Sequence, residues 1–329
     1  MKKRHWIAGA LGLAGGAVAL KLLLRPRDVK WDEHAHHLHH AEHSRFALVD
    51  GVWIHYQEVG AKSAPVLLLI HGFTASNFVW SEVLLSVAES GFRVIAPDLI
   101  GFGFSEKPRD GEYTIESQAR MIMGLMDHLR IESATLAGSS YGGAVAATCA
   151  LDYAERVKSL VLVDAVINDY VKQRRLLRLA ALPLIGDVAT PLMIGSRRLV
   201  HSQMRKGYAP ENIDLFDECR MTSHHRPLLA ANTQRAALAT LRRWRAGRIE
   251  RDAHLIKQPT LLVWGEDDPE TPLAHGRLLF ELIENSRLII FRRCGHMPME
   301  EYPREFTEVL TGFCASANEE ESVLVNSQQ

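Results

Sequence analysis

Six short apolar runs, separated from one another by longer stretches, constrain this chain more than any other feature. They are Val66–Ile70, Arg93–Ala96, Ala134–Ala137, Leu160–Val163, Thr260–Trp264 and Arg287–Phe291. Such runs suit strands buried on both faces, and parallel neighbours need a crossover, usually a helix, between them. The pattern therefore predicts an α/β fold: a mostly parallel central sheet flanked by helices. Phe46–Glu58, with Asp50-Gly51 between two apolar runs, reads as an opening hairpin. From Ala165 to about Leu255 the alternation stops, and Leu, Ala, Arg and Met dominate, punctuated by Pro183, Pro191, Pro210 and Pro227. This stretch is expected to be an inserted helical cap over 166–255, splitting the core into 46–165 and 256–316, with a disordered tail over 317–329.

Composition narrows the function. With 38 Lys+Arg against 39 Asp+Glu, the chain has no basic excess with which to neutralise nucleic-acid phosphates. At 47% hydrophobic residues it carries enough apolar surface to order its backbone. Its 329 residues fit two domains, or one large α/β domain with an insertion. Cys149, Cys219, Cys294 and Cys314 are widely spaced with no CxxC pair, so they read as reduced, structural thiols rather than a zinc site or disulfide framework.

The amino terminus starts Lys2-Lys3-Arg4 and then runs apolar to Leu24, interrupted by Lys21. Ile7–Leu24 as a helix would span roughly 27 Å, close to the hydrocarbon thickness of a bilayer. A single-pass membrane anchor over 1–24 is the expectation, with a cleaved signal after Ala17-Val18-Ala19 as the alternative. A His-rich linker over 25–45 follows. In a helix, His36, His39, His40 and His43 would share a face able to bind a divalent metal, but a solvated, titratable linker or an interface-lying helix is the expected reading.

The chemistry concentrates in three places. Gly138-Ser139-Ser140-Tyr141-Gly142 fits G-x-S-x-G, follows a predicted strand and opens an Ala-rich helix. A strand-to-helix turn this tight needs small flanking residues and lifts Ser140 Oγ above the sheet, near a helix amino terminus. His296, in Gly295-His296-Met297-Pro298 after the last strand, is the candidate base. Asp268, after the penultimate strand, is the candidate acid that would orient the imidazole; Asp267 and Asp164 are alternatives for that role.

Together with His71-Gly72-Phe73 and Asp98-Leu99-Ile100-Gly101-Phe102-Gly103-Phe104-Ser105, these motifs make the chain resemble α/β-hydrolase-fold proteins over roughly Phe46–Ala315. The resemblance implies an oxyanion hole from the backbone N–H groups of Phe73 and Tyr141. The His-Gly-Phe and Gly-Phe-Gly-x-Ser pattern also resembles epoxide hydrolases and haloalkane dehalogenases. Those relatives use an aspartate nucleophile where this chain has Ser140, and a serine acyl-enzyme can be hydrolysed whereas an alkyl ether cannot. The expected function is a serine hydrolase, similar to membrane-anchored monoacylglycerol lipase-like members, acting on an apolar carboxylic ester without metal or organic cofactor. Hydrolysis of a carbon–carbon bond beside a ketone, or of an amide, by the same residues is the alternative reading. A non-catalytic ligand-binding member of the fold is the alternative from a different class.

Overall fold

A computed structural model describes residues 31–170 and 175–326. Eight strands form one sheet: β1 (Ser44–Val49), β2 (Val52–Val59), β3 (Val66–Ile70), β4 (Arg93–Pro97), β5 (Ala134–Ser139), β6 (Val157–Val163), β7 (Thr260–Gly265) and β8 (Ser286–Phe291). Their order is β1-β2-β4-β3-β5-β6-β7-β8. The hairpin β1–β2 pairs antiparallel to the rest, with Val49 opposite Val52 across Asp50-Gly51. From β4 to β8 every pairing is parallel. All six runs read as strands are strands; β3 to β7 lie inside the sheet with nearly every side chain buried, whereas β8 is an edge strand that exposes Arg287, Ile289 and Ile290.

Strand periodicity divides the core in two. On β3, Leu68 and Ile70 face the helices Ile115–His128 and Tyr141–Asp152, where Ile122, Leu125, Met126 and Val145 pack. Leu67 and Leu69 face the other layer, with Trp80, Leu84 and Val87 from one helix and Phe306, Leu310 and Phe313 from the last. Six α-helices between Arg175 and Asp252, among the described residues, occupy the interval between β6 and β7. The last helix spans Pro303–Asn326 and so passes Ala317, where the sequence suggested that order ends.

Two expectations need correction. The membrane anchor, its transmembrane helix and the membrane localisation drawn from them are withdrawn. Among the described residues no helix is long and apolar enough to cross a membrane. The long helix Pro303–Asn326 carries Arg304, Glu305, Glu308 and Glu319–Glu321, charges that are costly in hydrocarbon. The segment 1–24, with its possible cleavage site, lies outside the described residues. Second, the histidines from 36 to 43 do not share a helical face. His40 sits at φ 58, which breaks the segment into two single-turn pieces, Ala35–His37 and Ala41–His43. The segment is held against the body instead: Gln57 Nε2 donates to the His39 and His40 carbonyls (2.8 and 3.1 Å), and the His39 ring meets Phe78 edge-on.

Candidate active site

The strand order reverses direction at β3, between β4 and β5, and an open α/β sheet carries its site beyond the carboxyl ends of the strands at such a point. There the chain leaves β3 into His71, β5 into Ser140, β6 into Asp164, β7 toward Asp268 and β8 toward His296.

Ser140 occupies the turn between β5 and the helix Tyr141–Asp152 with φ 55 and ψ −118, a conformation that costs a non-glycine residue energy. Neighbouring backbone holds it there: Ser140 N–H donates to the Val163 carbonyl (2.9 Å), and the Ser140 carbonyl accepts from Gly143 and Val166 (3.0 and 2.9 Å). The turn can form only because its neighbours lack side chains. A Cβ on Gly72 would stand 3.1 Å from Ser140 Cβ and 3.7 Å from its Oγ, so the His71-Gly72-Phe73 turn lies directly against the serine. Tyr141 is the first residue of its helix, and its N–H therefore has no intrahelical partner four residues back. The Phe73 and Tyr141 rings lie 6.3 Å apart.

His296 and Asp268 lie side by side. His296 Nδ1–H donates to Asp268 Oδ2 at 2.8 Å, which leaves Nε2 as the nitrogen able to exchange a proton elsewhere. The turn after β7 carries the acid: Asp268 Oδ1 accepts from the Glu270 and Thr271 amides, Thr271 Oγ1 lies 2.5 Å from Oδ2, and Trp264 Nε1–H donates to the Thr271 carbonyl. Burial pushes the Asp268 carboxyl up. The His296 charge and hydrogen bond, Thr271 and the Glu270 amide outweigh it and hold the group below the usual range. Burial alone would lower the His296 pKa, but the Asp268 charge and hydrogen bond, with Glu270 and Asp164, raise it to about 10.

Asp268, rather than either alternative acid, makes the 2.8 Å contact with the imidazole. Asp267 is exposed, and its N–H donates to the Cys294 carbonyl. Asp164 is fully buried, with Oδ1 accepting from the Gly265 N–H and a carboxylate oxygen within 4.8 Å of both Asp268 and His296. Burial first, then the neighbouring Asp268 charge, pushes its pKa well above the ordinary value.

Several supporting residues carried no recognisable signal in the sequence. Glu301 accepts from the Gly295, Ala209 and Asn212 N–H groups (2.9, 3.0 and 2.8 Å), and His296 N–H donates to the Gly207 carbonyl at 2.6 Å. These bonds tie the histidine loop to the helical interval between β6 and β7. Trp244, from the same interval, meets Phe73 edge-on at 5.5 Å and Tyr141 at a tilt at 5.0 Å. Only the adjacency of Glu300-Glu301 to the histidine motif could have hinted at the first of these contacts.

Asp98 organises the adjoining loop. Its buried carboxylate accepts from His55 Nδ1–H, the Asn77 N–H and the Phe104 N–H at 2.7, 2.7 and 2.8 Å. Burial pushes its pKa up, but the His55 bond and charge, with His71 and the Phe104 amide, hold it below the ordinary value. Asp98→Ala leaves these donors unpaired and is expected to destabilise the protein by about 3 kcal/mol, read as a lower urea midpoint at neutral pH. Because the folded pKa is lowered, the wild-type contribution is present above the unfolded carboxyl pKa and lost as pH falls through the folded value.

Residues 65–303 match the family described as alpha/beta hydrolase fold. The chain belongs to that family. It is 29% identical over 284 residues to a 2-hydroxy-6-oxo-2,4-heptadienoate hydrolase of Pseudomonas putida, a match covering 84% of this chain and 98% of the relative. A 2-hydroxymuconate semialdehyde hydrolase of the same species is 30% identical over 247 residues, covering 69% of this chain and 78% of the relative. Among solved structures, a meta-cleavage product hydrolase of Pseudomonas fluorescens superposes with a TM-score of 0.71 at 26% identity, covering 83% of this chain and 98% of the other. This alpha/beta hydrolase has its candidate site where the family's open sheet reverses, with Cys149, Cys294 and Cys314 buried as free thiols and Cys219 free at the surface.

Proposed function

We propose that this hydrolase cleaves a carbon–carbon bond beside a ketone in a conjugated hydroxy-oxo-dienoic acid, with Ser140 as nucleophile, His296 as base and Asp268 as its orienting acid. The observation that carries this reading is the similarity, over most of both chains, to relatives named for such compounds. The site chemistry is consistent with it. A carbon leaving group departs only if its electron pair is delocalised, which a ketonised dienoate allows.

The substrate enol first moves a proton from oxygen to carbon, giving a ketone at each end of the conjugated unit. Ser140 Oγ attacks the ketone carbonyl while His296 Nε2 takes its proton. The resulting oxyanion is met by the Phe73 and Tyr141 amides. The carbon–carbon bond then breaks, its electron pair enters the dienoate, and the His296 proton completes that product. Water, deprotonated by His296, attacks the acyl-Ser140 ester, releasing a carboxylic acid and returning the proton to serine. Because His296 must be neutral to begin, the rate rises as pH increases through its raised pKa.

The same residues would hydrolyse a carboxylic ester, with an alcohol in place of the carbon leaving group. A panel separates the two: 2-hydroxy-6-oxo-hepta-2,4-dienoate against p-nitrophenyl esters of increasing chain length. A kcat/KM about 100-fold higher for the dienoate supports carbon–carbon cleavage. The reverse ratio transfers the assignment to ester hydrolysis.

A further inference from the structure

We propose that Glu270 is a positioning residue acting on His296 from the nitrogen that exchanges protons with Ser140, and that it sets the pH range in which this base is free. The inference rests on the Ser140–His296–Asp268 reading and adds a fourth group to it.

The imidazole is bracketed by carboxylates on both nitrogens. Asp268 Oδ2 stands 2.8 Å from Nδ1, and Glu270 Oε2 stands 4.0 Å from Nε2. One turn places both acids, because the Glu270 N–H donates to Asp268 Oδ1 at 2.6 Å. The two differ in exposure: the Asp268 side chain is wholly buried, whereas that of Glu270 is 29% accessible. Glu270 is therefore partly solvated and can be displaced by an incoming substrate, while Asp268 cannot.

The other groups around His296 do not duplicate this position. Asp164 is fully buried beside Asp268 and within 4.8 Å of the imidazole, and Thr271 Oγ1 approaches Nδ1 at 3.5 Å. On the histidine's own loop, Glu301 is engaged with Gly295, Ala209 and Asn212, and Glu300 with Tyr208, His224 and Arg220. From the helical interval, the backbone carbonyl of Gly207 takes the His296 N–H.

A carboxylate beside Nε2 favours the imidazolium. Two opposing consequences follow. At low pH fewer molecules hold a free base, because the proton is bound more tightly. At high pH, where the base is already free, it is a stronger proton acceptor and the imidazolium formed during attack is stabilised. Removing the charge therefore speeds the reaction on the acid side and slows it on the alkaline side. A merely structural role moves both limbs the same way.

The test measures the second-order rate at which a fluorophosphonate modifies Ser140, from pH 5 to 11, in wild type, Glu270→Gln, Glu270→Asp and Ser140→Ala. The expected result for Glu270→Gln is an acid limb lower by about one pH unit, an alkaline plateau about 3- to 10-fold lower, and a crossing of the two profiles. Glu270→Asp, which keeps the charge on a shorter arm, falls between. A Glu270→Gln profile with an unmoved or raised midpoint overturns the inference. Undiminished labelling of Ser140→Ala instead overturns the nucleophile assignment on which it rests, so the two failures are told apart. Should the Gln variant fail to fold, titrating the His296 ring nitrogens by NMR in wild type and Glu270→Asp decides the same question: a lower midpoint in the Asp variant supports the role, and coincident titrations remove it.

Discussion

Ser140→Ala is expected to reduce turnover of the dienoate by about 10⁴- to 10⁶-fold while leaving the folded protein intact. The proposed route makes both covalent steps at Ser140 Oγ. Removing one oxygen from a partly exposed position takes away no core packing, so the thermal midpoint should change little. The variant should still bind substrate and allow the enol to ketonise, because that proton transfer precedes attack. Rapid-mixing spectroscopy should then show the ketonised form accumulating without products. Turnover within tenfold of wild type would remove serine from the mechanism. Loss of turnover without that accumulation would point toward ester chemistry, which has no such tautomer.

The second large effect is structural. Gly142→Ala is expected to cost more than about 4 kcal/mol and to remove most soluble protein. A Cβ at this position would lie 2.2 Å from the Ile70 carbonyl oxygen and 2.5 Å from that of His71. Neither can retreat. Ile70 ends β3, which pairs with β4 on one side and β5 on the other, and His71 begins the turn that lies against Ser140. The methyl group would therefore push the helix off the sheet and carry the serine with it. Gly312→Ala is the matched control: it lies in the exposed part of the helix Pro303–Asn326 with nothing within 4 Å of the added carbon. That change is expected to stabilise by roughly 0.5–1 kcal/mol, since alanine loses less backbone entropy in a helix. Urea unfolding of both variants checks the pair, and equal midpoints would mean that helix and strand are not in close contact at the elbow.

Much of this architecture is legible in the amino-acid sequence. Strand runs such as Val66–Ile70 and Leu160–Val163 declare themselves because burial on both faces demands apolar residues throughout. Ser140, Asp268 and His296 stand out as candidates because each follows such a run, and the carboxyl ends of parallel strands converge. The histidines from 36 to 43 mislead, because helical spacing does not apply to a segment that His40 breaks in two. The apolar leader suggests a membrane anchor on length and hydropathy alone, and no helix among the described residues can cross a membrane.

The pattern of apolar runs and small residues in the sequence was sufficient for the fold class, the strand-end positions and the elbow, because these depend on local backbone geometry and on which residues must avoid water. Which acid contacts His296 Nδ1 was decided only in three dimensions. Asp164, Asp267 and Asp268 are all acids that follow strands, and burial and register separate a fully buried residue bonded to the Gly265 N–H, an exposed one and the partner of Nδ1. Glu270, Glu301, Gly207 and Trp244 likewise gain their roles from tertiary structure, since electrostatic and packing interactions depend on distance in space and residues far apart in the chain meet only once the sheet has formed.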